Sequence, residues 1–284
     1  MPRGRALKTT GLIEAAIAIL REIEPASVRA VCYQLFNQRA IPDMSKNATG
    51  RVSRVLVRAR EEGLVPWDWI VDETRAVELA ATWDDPDTYM EVVADSYRRD
   101  RWGSQPERVM VVSEKGTVAG VLRPVLADYG VPFGVYHGFG SATAVRDLAE
   151  RSVADHRPLT ILYVGDHDPS GRYMSDRDLP DRLDRYGGVA RIERVAVTPQ
   201  HIIDYDLLTF SADQKTADAR HAWFARTYGR TCCELDALDP RMLRRLIEDA
   251  ILDHLDLDAW ELAGTTEAAE MASLHDFFAA WPAA

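Results

Sequence analysis

The chain has 284 residues, 46% hydrophobic and 28% charged, a globular composition without the run of about 18 apolar residues that argues for a transmembrane helix. Its three cysteines, Cys32, Cys232 and Cys233, form neither a disulfide framework nor a zinc pattern and suit a reducing cytoplasm. The net charge of −11 argues against a nucleic-acid partner until it is divided: residues 1–70 carry 11 Lys+Arg against 7 Asp+Glu, the remainder 23 against 38, so a basic module of net +4 sits on an acidic body of net −15.

The N-terminus places basic residues before an apolar stretch, but Glu14 interrupts it and Arg21 and Glu22 follow, so an amphipathic helix is expected there rather than a signal peptide. Leu12, Ile13, Ala16, Ile17 and Leu20 have helical spacing over residues 10–24, and Pro25 ends that helix. Ser27 is an N-cap for a second helix reaching about Arg39, which Pro42 breaks. A third helix is predicted from about Ser45 to Glu62, with Gly63 at its C′ position. The stretch LVPWDWIVD, residues 64–72, alternates and predicts a hairpin or wing, with Trp67 and Trp69 packed in it. Three helices and a wing make a winged helix-turn-helix. On the third helix Arg51, Arg54 and Arg58 stand at i, i+3 and i+7, opposite Val52, Val55, Leu56 and Ala59. With Lys46 in the first turn, they are the candidate contacts to double-stranded DNA.

Residues 73–104 are charged with a helical pattern and predict a connector, with Trp83 and Pro86 marking a break. From Arg108 onward near-continuous apolar strands alternate with helices, which predicts a parallel sheet covered on both faces. Residues 199–284 read as mostly helical, and Asp239-Pro240 as the cap and first residue of one of those helices. The expected organisation is α/β: a winged-helix domain over 1–75, a helical connector over 76–105, and a sheet domain with a helical C-terminal extension over 106–284.

Ligands of open parallel sheets bind at the carboxyl ends of the strands. Two ends here carry acids: RVMVVSE ends in Glu114, and LTILYVGD ends in Asp166 with Asp168 beyond it. Residues i and i+2 of extended chain project to one side, so Asp166 and Asp168 can share a crevice that Glu114 joins from a neighbouring strand. Three clustered carboxylates raise one another's pKa unless a cation sits among them, and all-oxygen ligation suits Mg²⁺, or Mn²⁺ in its place. A phosphodiester or nucleotide phosphate is the natural substrate of such a site. The competing reading is an Asx-turn that caps a helix. His137 and His167 flank the acids and are expected to support the site or touch DNA rather than ligate metal. Gly138 and Gly140 form a weak nucleotide signal, and Asp236 is a weaker candidate for a fourth acid.

VVSEKGTVAGVL (111–122) and YVGDHDPSG (163–171) resemble a Toprim domain, the metal-binding module of topoisomerases, primases and some nucleases. With HGFGSATAVRDL (137–148) and RVAVTPQHIIDYDL (194–207), the similarity extends over roughly residues 108–208 to the A subunit of type IIB topoisomerases and the related meiotic double-strand-break transesterase. CCELDALDP (232–240) is similar to a C-terminal stretch of other Toprim-bearing proteins. The resemblance implies that Glu114, Asp166 and Asp168 hold Mg²⁺ and that Lys115 matches the lysine often beside the glutamate. It further implies a nucleophilic tyrosine on the second helix of the winged-helix domain. The matching stretch is VRAVCYQLF (28–36) and the matching residue Tyr33, although Cys32 stands where an aromatic residue is common.

Helix geometry can be examined independently. Val28, Val31, Cys32, Leu35 and Phe36 make the apolar stripe, and Tyr33 lies roughly 130° from its centre at ~100° per residue, beside Arg29 and Asn37. That predicts a hydroxyl presented to DNA, with Arg29 stabilising phenolate or phosphate. The resemblance also implies a homodimer in which Tyr33 of one subunit meets the metal of the other, and, since no ATP-binding module is visible, a separate ATPase partner. Two other readings stay open: a Toprim nuclease using metal-activated water in defence or plasmid control, and a non-catalytic DNA-binding adaptor.

Overall fold

A computed structural model of the chain describes residues 7–70, 82–136 and 142–280. Three helices open it: α1 (Leu7–Ile23), α2 (Val28–Asn37) and α3 (Lys46–Glu61). Their boundaries have local causes. The Ser27 hydroxyl accepts from the Ala30 N–H at 3.1 Å, and the Ser45 hydroxyl from the Ala48 N–H at 3.3 Å. Each cap of this kind stabilises a helix start by about 1 kcal/mol. Gly63 follows α3 with φ +72°, a left-handed conformation that glycine adopts without strain. Leu20, Val31, Leu35, Val52 and Leu56 bury the inner faces of the three helices in one core.

The predicted hairpin is corrected. Within 64–70 there is a turn and a single 3₁₀ turn, Trp67–Trp69, with one parallel bridge from Ile70 to Ala26. Pro66 supplies no N–H for a ladder, and tight 3₁₀ geometry follows it. Trp69 packs against the three-helix core, whereas Trp67 is exposed beneath the Arg60 guanidinium, 4.6 Å from its ring centroid. The last two residues of that stretch, and the expected boundary at 75, lie outside the described residues. Helix α4 (Pro86–Ser96) then begins where the sequence suggested a break. Asp85 caps it through Thr88, 2.7 Å away, and Pro86 takes the first helical position, where its missing N–H costs nothing.

The sheet follows: β1 (Arg108–Ser113), α5 (Ala119–Tyr129), β2 (Phe133–Val135), α6 (Ala142–Val153) and β3 (Leu159–Val164). Next come α7 (Pro169–Tyr173), a π turn over Met174–Asp178, α8 (Leu179–Arg185) and β4 (Ala190–Ala196). All four strands are parallel, in the order β2-β1-β3-β4. Every residue of β3 is buried. Leu162 and Val164 point into a core shared with Leu122 of α5, while Ile161 and Tyr163 point to the opposite face, against Leu148 of α6 and Leu183 of α8. A strand covered on both sides is what its unbroken apolar run requires. Each such side chain contributes about 1.5–3 kcal/mol by leaving water.

The C-terminal part contains α9 (Pro199–Asp204), β5 (Thr209–Ser211), α10 (His221–Tyr228), β6 (Thr231–Cys233), α11 (Pro240–Leu252) and α12 (Leu257–Ala279). Asp239 caps α11 through Arg241, 2.8 Å away, as Asp239-Pro240 predicts. The antiparallel pair β5–β6 was not expected, because three-residue strands carry no readable alternation. Helix α11 packs on α5 and β4, extending the sheet core through Leu243, Ile247 and Ile251, and α12 packs on α4. The fold is mixed α/β: a four-stranded parallel sheet in a largely helical chain. Among the described residues no helix is long and apolar enough to cross a membrane.

Candidate functional site: a carboxylate cluster joined to Tyr33

Ser113 and Val164 are register partners on the two central strands, so Glu114 and Gly165 leave the sheet at one level. Glu114 Oε1 accepts the Asp166 N–H at 3.2 Å. A Cβ on Gly171 would stand 2.4 Å from the Asp166 carbonyl oxygen and 2.9 Å from Glu114 Oε1, so only glycine lets the loop close over that carboxylate. Asp168 is 4% exposed; one oxygen caps α7 through the Gly171 N–H at 2.7 Å, and the other holds the Lys215 ammonium. The alternative reading of Asp168 as a helix cap is thus satisfied in the same residue as the cluster. Burial raises the pKa of Glu114, and the charges of Asp166 and Asp168 raise it further.

Asp166 is tied to two distant segments. Its Oδ1 lies 2.7 Å from the Lys115 ammonium and accepts the Leu235 N–H at 2.7 Å. The strand β6 makes this possible. Its Cys233 exchanges backbone hydrogen bonds of 2.8 and 2.9 Å with His167, which docks residues 234–236 against the acid loop. Asp236, 8% exposed, then receives Lys115 at 3.0 Å and Arg29 Nε at 3.2 Å on the same oxygen. Burial pulls the Lys115 pKa down, but Asp166 and Asp236 outweigh it, so the ammonium stays charged.

From the helical module Arg29 also pairs with Glu234, and its guanidinium lies 5.7 Å from the Tyr33 ring centroid. Tyr33 is 5% exposed. Its position off the module's own core agrees with the helical wheel. The expectation of a hydroxyl open to DNA is corrected: Tyr33 belongs to the sheet-domain core, with Val118, Leu235 and Leu238. Burial raises its pKa, the Glu234 charge adds to this, and Arg29 opposes it.

His167 is 1% exposed between Phe224 and Tyr228, so it is closed off from solvent. Burial, then Arg172 and Arg194, push its pKa down to about 4. His137, Gly138 and Gly140 lie outside the described residues. Lys46, Arg51, Arg54 and Arg58 are all exposed on α3.

Three site residues escaped the sequence reading. Lys215 sits beside Asp168, Glu234 beside Arg29, and Arg194 beneath the acid loop. Arg194 donates to the Gly165 carbonyl at 2.8 Å, Gly171 at 3.2 Å, Val197 at 3.1 Å and Ser175 Oγ at 2.7 Å, and also to the Asp166 carbonyl. Burial, then Arg172, pulls its pKa down to about 10, so it remains charged at neutral pH. An arginine two residues from the end of a strand was the available signal for this last one.

Oxygen donors of this kind, buried and close enough to raise the pKa of both Glu114 and Asp166, suit a hard divalent cation. Among the described residues no three acidic, histidine or cysteine side chains stand together at ion-holding distances; Lys115 and Lys215 take oxygens of Asp166 and Asp168 instead. No protein-family model matches the chain, and no curated protein does.

Proposed function

We propose that this chain is a Mg²⁺-dependent DNA-cleaving enzyme of the Toprim kind, with a winged-helix-like module that holds double-stranded DNA and a tyrosine, Tyr33, that attacks a strand. One observation carries the reading: Glu114, Asp166 and Asp168 stand at adjacent strand ends, and Arg29, whose guanidinium lies 5.7 Å from the Tyr33 ring centroid, is wired to the same cluster through Asp236 and Lys115. In the reaction the Tyr33 hydroxyl gives up its proton and its oxygen bonds to phosphorus. The bond from phosphorus to the 3′ oxygen breaks, and that oxygen takes up a proton. Arg29 offsets charge on the phosphate, and Lys115 orients Asp166. Glu114, Asp166 and Asp168 would hold Mg²⁺ or Mn²⁺, which supplies charge stabilisation at the phosphate and departing oxygen. A homodimer and a separate ATPase partner belong to this proposal.

A second reading, hydrolysis by water, is favoured by the burial of Tyr33, since a covered phenol is a poor nucleophile. Supercoiled plasmid tests the shared core of both. Nicking or linearisation with Mg²⁺ or Mn²⁺, and none with a chelator, is expected. Chelator-resistant cleavage contradicts the metal in both readings; no cleavage with either metal contradicts both and leaves the non-catalytic adaptor.

Two further outcomes follow. Lys215 competes with a cation for Asp168: burial opposes its charged form, but Asp168 outweighs that and raises its pKa. Lys215→Met is therefore expected to tighten Mn²⁺ binding, read by electron paramagnetic resonance, by roughly tenfold, equivalent to ~1.4 kcal/mol. Each of Arg51→Ala, Arg54→Ala and Arg58→Ala is expected to weaken binding to all duplex sequences alike and to lower the slope of log K against log salt by about 1.

A further inference from the structure

Arg29, Tyr33 and Lys115 lie around two carboxylates of unequal character. Asp236 is the fixed one. Its side chain is 6% exposed, and one of its oxygens touches both Lys115 and Arg29, which sets the spacing of the two cations. Glu234 is the outer one, with a side chain 24% exposed against the Arg29 side chain's 49%. The backbone around Glu234 is held without it: β6 docks on His167, and the Leu235 N–H binds Asp166. The Glu234 side chain can therefore swing away while the segment stays in place.

We propose that Arg29, Tyr33 and Lys115 form a subsite for a DNA phosphodiester, and that the Glu234 carboxylate fills it as an internal stand-in until DNA arrives. The proposal rests on the DNA-cleaving reading and adds a ligand position and a gate to it. A planar guanidinium takes a carboxylate and a phosphate through the same pair of N–H donors, so one can replace the other. Charge decides the order of events. Two cations, Arg29 and Lys115, face three carboxylates, Glu234, Asp236 and Asp166. An added phosphate is repelled unless one carboxylate leaves, and Glu234 is the most exposed of the three and leaves without breaking a backbone contact. A phosphate in its place would stand at Arg29, whose guanidinium lies 5.7 Å from the Tyr33 ring centroid and which Asp236 and Lys115 join to Asp166.

The test is duplex binding by fluorescence anisotropy, with a labelled oligonucleotide duplex and a chelator so that no metal or cleavage intervenes. Glu234→Gln is expected to tighten binding about tenfold. Arg29→Lys keeps the charge but loses the fork, and is expected to weaken binding and to abolish the gain from Glu234→Gln when the two are combined. Unchanged affinity in Glu234→Gln overturns the proposal. So does an equal gain in the Arg29→Lys background, which would mark a general charge effect. Thermal melts of each variant verify folding. Because metal is absent, these outcomes are independent of whether plasmid is cleaved.

Discussion

Replacing Arg194 with methionine is expected to destabilise the sheet unit by about 3 kcal/mol, a drop in melting temperature of roughly 6–12 °C at this size. The reason is its position. One side chain uses all its N–H groups to tie the strand β4 to both ends of the loop that carries Asp166 and Asp168. Methionine fills similar volume but donates nothing, so the carbonyls of Gly165, Asp166 and Gly171 lose a charged partner in a partly buried site. Lysine keeps the charge but reaches fewer acceptors, so Arg194→Lys is expected to fall between the two. Calorimetry decides: a melting temperature within about 2 °C of wild type for Arg194→Met would show that the loop stands without its support.

Asp166→Ala carries the largest functional effect. It should lower Mg²⁺-dependent cleavage by about 10³-fold, or ~4 kcal/mol of barrier, while the fold persists. Two opposed changes keep the stability cost small. Lys115 loses a partner at 2.7 Å but keeps Asp236 at 3.0 Å, and Glu114 loses one of the two carboxylates that raise its pKa. The Leu235 N–H loses its acceptor, which loosens the 234–236 segment. Initial cleavage rates beside circular dichroism measure both effects, and a rate within threefold of wild type would remove Asp166 from the chemistry.

How much of this was legible in the sequence depended on range. Ser27, Ser45, Gly63 and Asp239-Pro240 act within four residues of themselves, and each shapes its helix end as its chemistry dictates. Glu114 and Asp166 were readable as strand ends because the runs before them are mostly apolar, and β1 and β3 are neighbours. Lys215 and Glu234 were not readable. Their partners lie 47 and 205 residues away, and no local pattern marks an ion pair of that separation. Tyr33 shows the limit of the helical wheel. The wheel placed it off the three-helix core but held no information about a second surface, and it is the sheet domain that covers it. The hairpin expected over 64–72 is not formed within its described residues, 64–70, for a related reason: alternation alone does not supply a partner strand.

The central claim is that Tyr33, rather than water, attacks the DNA strand beside the Glu114, Asp166 and Asp168 cluster. A duplex labelled at its 3′ ends, incubated with Mg²⁺ and run with the protein under denaturing conditions, tests it most directly. The account predicts label that migrates with the protein in wild type and none in Tyr33→Phe. Label released as free fragments by both, at equal rates, would contradict it.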